Sequence, residues 1–73
     1  MTKPFAEGAE VSWAWGAHRA RGRIRQSFTR RVQRTIEGTR VVRKASPDEP
    51  AYLVEQADGA RALKSHSELT AIH

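Results

Sequence analysis

Arginine occurs at every second position between residues 19 and 25, inside the basic stretch HRARGRIRQSFTRRVQR at residues 18–34. Side chains two positions apart in a β-strand point to the same face, about 7 Å from each other. A strand here would carry its arginines as one charged ridge, and such a row can contact the phosphates of a nucleic acid. The alternative is a solvated strand face whose charges discourage pairing with other chains.

The positive charge of the chain is concentrated in its middle. Residues 18–44 contain ten Lys/Arg residues and one acid, Glu37, for a net charge of +9, whereas the remainder carries −4 and the whole chain +5. Such asymmetry favours an anionic partner and speeds the encounter with it. We therefore expect nucleic acid, or another anionic partner, to bind here. The predicted anion-binding residues are Arg21, Arg23, Arg25, Arg31, Arg34 and Arg43.

The aromatic residues offer a second kind of chemistry. In AEVSWAW, Trp13 and Trp15 share one phase of an alternating pattern, so we expect Trp13 in the core and Trp15 at the rim, where it could stack on a base. Tyr52 is predicted to join Trp15 at this rim. The alternative function is a protein-interaction or homodimerisation module that uses the same rim. An aromatic cage for a methylated cation would need further converging rings, and the net positive charge disfavours such a ligand.

No pattern in the sequence favours catalysis, a metal or a cofactor. His18, His66 and His73 are scattered and lack the paired spacing of metal ligands. Ser65 and Ser67 are better explained as caps of one short helical turn containing Glu68 than as nucleophiles. We therefore predict a non-enzyme that binds no metal and no cofactor.

Size and composition limit the architecture. The 73 residues fit one small domain, predicted to span residues 5–73 after a flexible tail at residues 1–4, and the chain has no cysteine to form disulfides. Apolar runs are only a few residues long, which excludes a transmembrane helix and the apolar core of a signal peptide. We expect a soluble cytoplasmic protein without a membrane partner.

Alternating patterns predict about five strands, and a small bent barrel is the way to close their edges. The fold class is therefore all-β, a five-stranded SH3-like barrel with a protruding basic hairpin. A three-residue loop at Ile36-Glu37-Gly38 would place Val32 opposite Val42 in this hairpin, and a two-residue turn would shift the register by one. A second hairpin turns at Asp58-Gly59. The predicted core consists of Val11, Trp13, Ile24, Phe28, Val54, Leu63 and Leu69.

Three segments, VSWAWG, RTIEGTRVVRKASPDEPAYLVEQADG and LKSHSEL, are similar to a small bacterial family, the hypervirulence-associated protein Tudor-like domain. The likeness runs from about Phe5 to Leu69. It implies an SH3-like or Tudor-like barrel, and it transfers no catalytic or ligand-binding residue. Members of the family often have a turn richer in Gly and Asn after the second tryptophan, where this chain has Ala17-His18-Arg19.

Overall fold

The computed structural model describes residues 3–72, which form seven strands and one 3-10 turn. Met1 and Thr2 of the predicted tail and His73, the last residue of the predicted domain, lie outside the described residues. The elements are β1 (Glu10–Trp15), β2 (His18–Phe28), β3 (Val32–Ile36), β4 (Thr39–Arg43), β5 (Ala51–Glu55), β6 (Arg61–Ser65), the 3-10 turn (His66–Glu68) and β7 (Thr70–Ala71).

Five strands form one antiparallel sheet in the order β6-β5-β2-β1-β7, with β3 and β4 paired as a separate hairpin. The eleven-residue β2 pairs with both β1 and β5, and its register shifts between Ile24 and Gln26. Arg25 is therefore the extra residue of a β-bulge, which bends the strand and increases its twist. This order, with a 3-10 turn before the closing strand, is that of the SH3-like barrel predicted from the sequence.

The main core fills the inside of the barrel. Its buried residues are Val11, Trp13, Ile24, Tyr52, Val54 and Leu69, with Phe5, Ala9, Ala20 and Ala62 packed against them. Because alternate residues of β1 and β2 face inward, the same periodicity that buries Trp13 and Ile24 turns the arginines of β2 outward. The predicted burial of Val11, Trp13, Ile24, Val54 and Leu69 is confirmed.

A second apolar cluster lies on the outer side of β5 and β6. Ala51 and Leu63 are buried there against Val32 of β3, with Phe28 and Val41 partly buried beside them. The hairpin β3–β4, expected to protrude, instead covers this face of the sheet. Leu63 is buried as predicted but belongs to this second cluster. Phe28 is only partly buried, because the bulge in β2 changes the phase of the residues that follow it.

The hairpin turns set the strand registers, and the sequence had left the register of the β3–β4 hairpin open. Glu37 and Gly38 form a two-residue turn with φ values of 49° and 81°, as a type I′ turn requires, so that Val32 lies opposite Arg43. In the β5–β6 turn, Gly59 has a φ of 90°, and the Asp58 carboxylate accepts a hydrogen bond from the backbone N–H of Ala60 at 2.9 Å. The predicted position of this second turn is confirmed.

Replacing Trp13 by alanine should destabilise the protein by about 3–5 kcal/mol, because the side chain is only 1% exposed and its loss would leave a cavity in a small core. Trp15→Ala is the matched control. Its side chain is 66% exposed, so we expect a change of about 0.5 kcal/mol or less. Thermal unfolding followed by circular dichroism measures both variants, and equal melting temperatures for the two would contradict this core.

Gly22→Ala should also destabilise the protein. A Cβ atom at this position would lie 2.8 Å from the backbone oxygen of Glu55 and 3.1 Å from Cη2 of Trp13. Overpacking of this kind costs about 1–3 kcal/mol, whereas alanine ordinarily stabilises a strand relative to glycine. A denaturant midpoint equal to or above that of the wild type would show that β2 and β5 are not packed so closely at Gly22.

Candidate functional site

The arginine ridge consists of Arg19, Arg21, Arg23 and Arg25 on the outer face of β2. Cross-strand pairing sets Arg23 between Glu10 of β1 and Glu55 of β5. Arg23 Nη2 lies 3.5 Å from a Glu10 carboxylate oxygen, and Arg25 Nε lies 3.8 Å from a Glu55 oxygen. Glu55 also pairs with Arg61 at 3.3 Å. Two carboxylates therefore partly neutralise the ridge at the end near the bulge.

The other end of the ridge keeps its positive charge. Arg19 Nη2 donates a hydrogen bond to the Ser12 hydroxyl at 2.9 Å, which orients the guanidinium without neutralising it. Within residues 3–72, neither Arg19 nor Arg21 forms an ion pair with a carboxylate. Both side chains belong to exposed residues. An anion approaching the ridge would meet the least compensated charge here.

The remaining predicted anion-binding residues are dispersed. Arg31 and Arg34 line a shallow depression beside the loop between β2 and β3, where the Arg34 guanidinium carbon lies 4.8 Å from the centre of the Phe28 ring. Arg43 is half-buried and pairs with Glu68 at 3.3 Å. The structure thus brings Arg21, Arg23 and Arg25 together and separates Arg43 from them.

Trp15 lies at the end of β1, where three hairpin turns meet. We call this place the tryptophan groove. It is lined by Trp15, His18, Arg19, Ala20, Glu37, Gln56 and Ala60. Trp15 is 66% exposed, at the rim position expected from the sequence, and Arg19 links the groove to the ridge. The groove is therefore lined by an exposed aromatic ring and one acidic residue, Glu37. The guanidinium of Arg19 is held at Ser12 on the outer face of the β1–β2 hairpin, the phase opposite to that of Trp15.

Tyr52, the other predicted rim residue, is fully buried in the main core. Its side chain points inward from β5 because it shares a phase with Val54, and its hydroxyl is satisfied inside the protein. The hydroxyl accepts a hydrogen bond from the Phe5 N–H at 3.0 Å and is 2.9 Å from Nδ1 of His66. Phe5 stacks on His66 with ring centres 4.5 Å apart. Within the described residues, Trp15 is the only Trp, Tyr or Phe that lines the groove, so the rings of an aromatic cage do not converge there.

Within residues 3–72, no three His, Cys, Asp or Glu side chains are placed to share a metal ion. No helix in the described part of the chain has the length and hydrophobicity needed to cross a membrane.

One protein family matches most of the chain. The profile of the family described as "Hypervirulence associated proteins TUDOR domain" matches residues 8–69. The chain belongs to this family. Comparisons with curated proteins and with solved structures give no significant match. A Tudor-like domain is generally a small binding module rather than an enzyme, which directs attention to the surface of this barrel.

Of the residues that line the groove in this Tudor-like domain, only Trp15 was a predicted site residue, and the charged residues Arg19 and Glu37 were not. The sequence placed Arg19 in the alternating row of arginines. Its charge stands out only in the structure, because ion pairs with Glu10 and Glu55 partly neutralise Arg23 and Arg25. Glu37 was seen only as a turn residue. The sequence signal for it is that Glu37 is the single acid within residues 18–44.

Burial raises the pKa of Tyr52 above its ordinary value of 10.0, the hydrogen bond from the Phe5 N–H opposes this shift, and the negative charge of Glu49 adds to it. The folded state therefore holds the phenol proton at a pH where the unfolded chain has lost it. The stabilisation is complete below about pH 10 and is lost as the pH rises through the folded-state pKa.

Tyr52 is the only tyrosine, so tyrosinate absorbance reports on this one group. We expect the phenol to ionise above its ordinary pH range and together with unfolding. Tyr52→Phe should lower stability at neutral pH by about 1–2 kcal/mol, because two hydrogen bonds are lost, and should flatten the decline above pH 10. Ionisation at the ordinary pH with the fold intact would contradict the burial of this hydroxyl.

Proposed function

We propose that this Tudor-like domain binds nucleic acid through the Arg19–Arg21 end of its arginine ridge. The observation that carries the proposal is the position of two exposed guanidinium groups, free of carboxylate partners in the described chain, on one face of β2 in the hairpin that ends at the exposed Trp15. The strong positive charge of residues 18–44 supports an anionic ligand.

The other end of the ridge, where carboxylates partly neutralise Arg23 and Arg25, can add to this interface. The side chains of Arg23 and Glu10 are 60% and 48% exposed, and their charges are 3.5 Å apart. Ion pairs so exposed contribute little to stability, so a phosphate group can replace the carboxylate at small cost. Arg23 and Arg25 are therefore proposed as secondary phosphate contacts, reached after Arg19 and Arg21.

Trp15 supplies an interaction that phosphate contacts lack. A base that stacks on an exposed tryptophan gains affinity whatever its identity, because every base has an aromatic face. Trp15 lies at the end of the hairpin whose outer face carries Arg19 and Arg21, so a single strand whose phosphates contact these arginines can place a base on Trp15 at the hairpin end. The chain has no cysteine, which suits the reducing cytoplasm, where we place the protein.

The second candidate is self-association or binding of another protein through Trp15. It rests on one observation, that Trp15 is the large apolar side chain left exposed in the described residues. Tyr52 cannot contribute to such a surface, because it is buried. Sedimentation velocity of the wild type and Trp15→Ala measures this alternative, which requires a dimer that the substitution dissociates.

Reversing Arg19 and Arg21 to glutamate should reduce nucleic-acid affinity roughly 30-fold at physiological salt and lower the salt slope of binding by about two units, because two phosphate contacts are lost. The fold should remain intact, since both side chains are exposed. Fluorescence anisotropy with labelled oligonucleotides over a salt series measures both quantities.

The matched control reverses Lys3 and Arg40, which are also exposed and change the net charge by the same amount. A specific interface predicts a loss of less than about threefold for this control at the same salt concentration. Equal losses from both double variants would show that binding follows net charge alone, and the proposed interface would then be wrong.

A further inference from the structure

The tryptophan groove contains an acid that neither the barrel core nor the arginine ridge requires. Trp15 ends β1 next to the β1–β2 turn, Glu37 belongs to the β3–β4 turn and Gln56 to the β5–β6 turn, and all three line this groove. The second hairpin therefore does more than cover the outer cluster. It also brings an acidic residue to the groove that the exposed tryptophan lines.

Glu37 adopts an unusual conformation to be there. Its φ is 49°, and it is the one residue other than glycine with a positive φ in the described part of the chain. Type I′ turns prefer Asn, Asp or Gly at this position, so turn chemistry does not explain a glutamate. Backbone strain of this kind is often found at functional sites, and here it coincides with the only acid of the basic segment.

We propose that the tryptophan groove binds one unpaired guanine, which stacks on Trp15 while its Watson–Crick edge donates hydrogen bonds to the Glu37 carboxylate. The inference rests on the proposed function, because the arginine ridge must first hold the nucleic acid. It makes single-stranded nucleic acid the preferred ligand, since a base in a duplex has both faces stacked and its edge already paired.

Guanine is selected by the chemistry of the carboxylate. An ionised carboxylate only accepts hydrogen bonds, through two oxygens side by side. Guanine presents two adjacent donors on its Watson–Crick edge, the N1–H and the 2-amino group. Adenine and cytosine present a single amino group beside a ring nitrogen that is itself an acceptor, and uracil presents one N–H between two carbonyl oxygens. Only guanine therefore satisfies both carboxylate oxygens without opposing an acceptor.

The groove fits a base better than a cation. A cation held by aromatic rings is usually enclosed by several of them, whereas Trp15 offers one open face. The groove also lies within the basic segment at residues 18–44, whose net charge of +9 repels a cationic ligand. The arginines on the outer face of the same hairpin suit the phosphates of a strand whose base lies on Trp15.

The test uses labelled single-stranded uridine oligonucleotides with one central guanosine, which is replaced by inosine or adenosine in matched strands. We expect the wild type to bind the guanosine strand about tenfold more tightly than the adenosine strand, within the range of one bidentate base contact. Inosine, which lacks the 2-amino group, should fall between them. A duplex of the guanosine strand should bind more weakly than the single strand at equal salt.

Glu37→Gln is the critical variant, because it keeps the shape of the side chain and removes one of its two acceptors. We expect the preference for guanosine to fall below about threefold, while binding to all strands keeps its salt dependence. Glu7→Gln is the matched control, since it removes the same charge from an exposed position outside the groove and should leave the preference unchanged. Trp15→Leu should weaken binding to every single strand and leave the duplex unaffected.

The outcomes separate this inference from the proposed function. If the three single strands bind equally, or if Glu37→Gln and Glu7→Gln have the same effect, guanine recognition is wrong even when reversal of Arg19 and Arg21 still weakens binding far more than reversal of Lys3 and Arg40. If that reversal has no greater effect than reversal of Lys3 and Arg40, the ridge itself is not the interface, and both proposals are overturned.

Discussion

The close packing of Trp13 against β2 at Gly22 is the constraint on which the rest of this barrel depends. A side chain at position 22 would collide with the backbone of Glu55 on the next strand, so the glycine allows three strands to approach around one tryptophan. This packing fixes the register of β1 on β2. A slip of one residue would turn every side chain to the opposite face and bury the arginines in the core.

The same alternation explains how much of the fold could be predicted from the sequence. β1 and β2 each have one apolar face, so their buried residues and the outward arginines follow from the period of two. The run AYLV in β5 has no such alternation, because both of its faces are covered, and the second cluster under the hairpin was therefore missed. Tyr52 was misplaced for a related reason, since a tyrosine suits either a rim or a core that satisfies its hydroxyl.

The candidate site was less predictable than the fold, because charge compensation is a three-dimensional property. The sequence predicted six anion-binding arginines, yet in the structure some of them are paired with carboxylates and others are not. Arg23 and Arg25 face Glu10 and Glu55 from neighbouring strands, and Arg43 meets Glu68 from a distant turn. No spacing along the chain predicts these pairs. The position of Glu37 in the groove that Trp15 lines likewise depends on the hairpin register, which the sequence left open between two alternatives.

A barrel of this size has little interior to spare for a ligand, so binding must use its strand faces and turns. Flexible turns would lose conformational entropy on binding, and this loss would reduce affinity. Here the turns that meet at the tryptophan groove are short, and each contains a glycine with positive φ at the position that the geometry requires, as Gly16, Gly38 and Gly59 show. Turns defined in this way hold the groove lined by Trp15, Glu37 and Gln56 in one arrangement, so a ligand bound there would cost less conformational entropy than one bound by flexible turns.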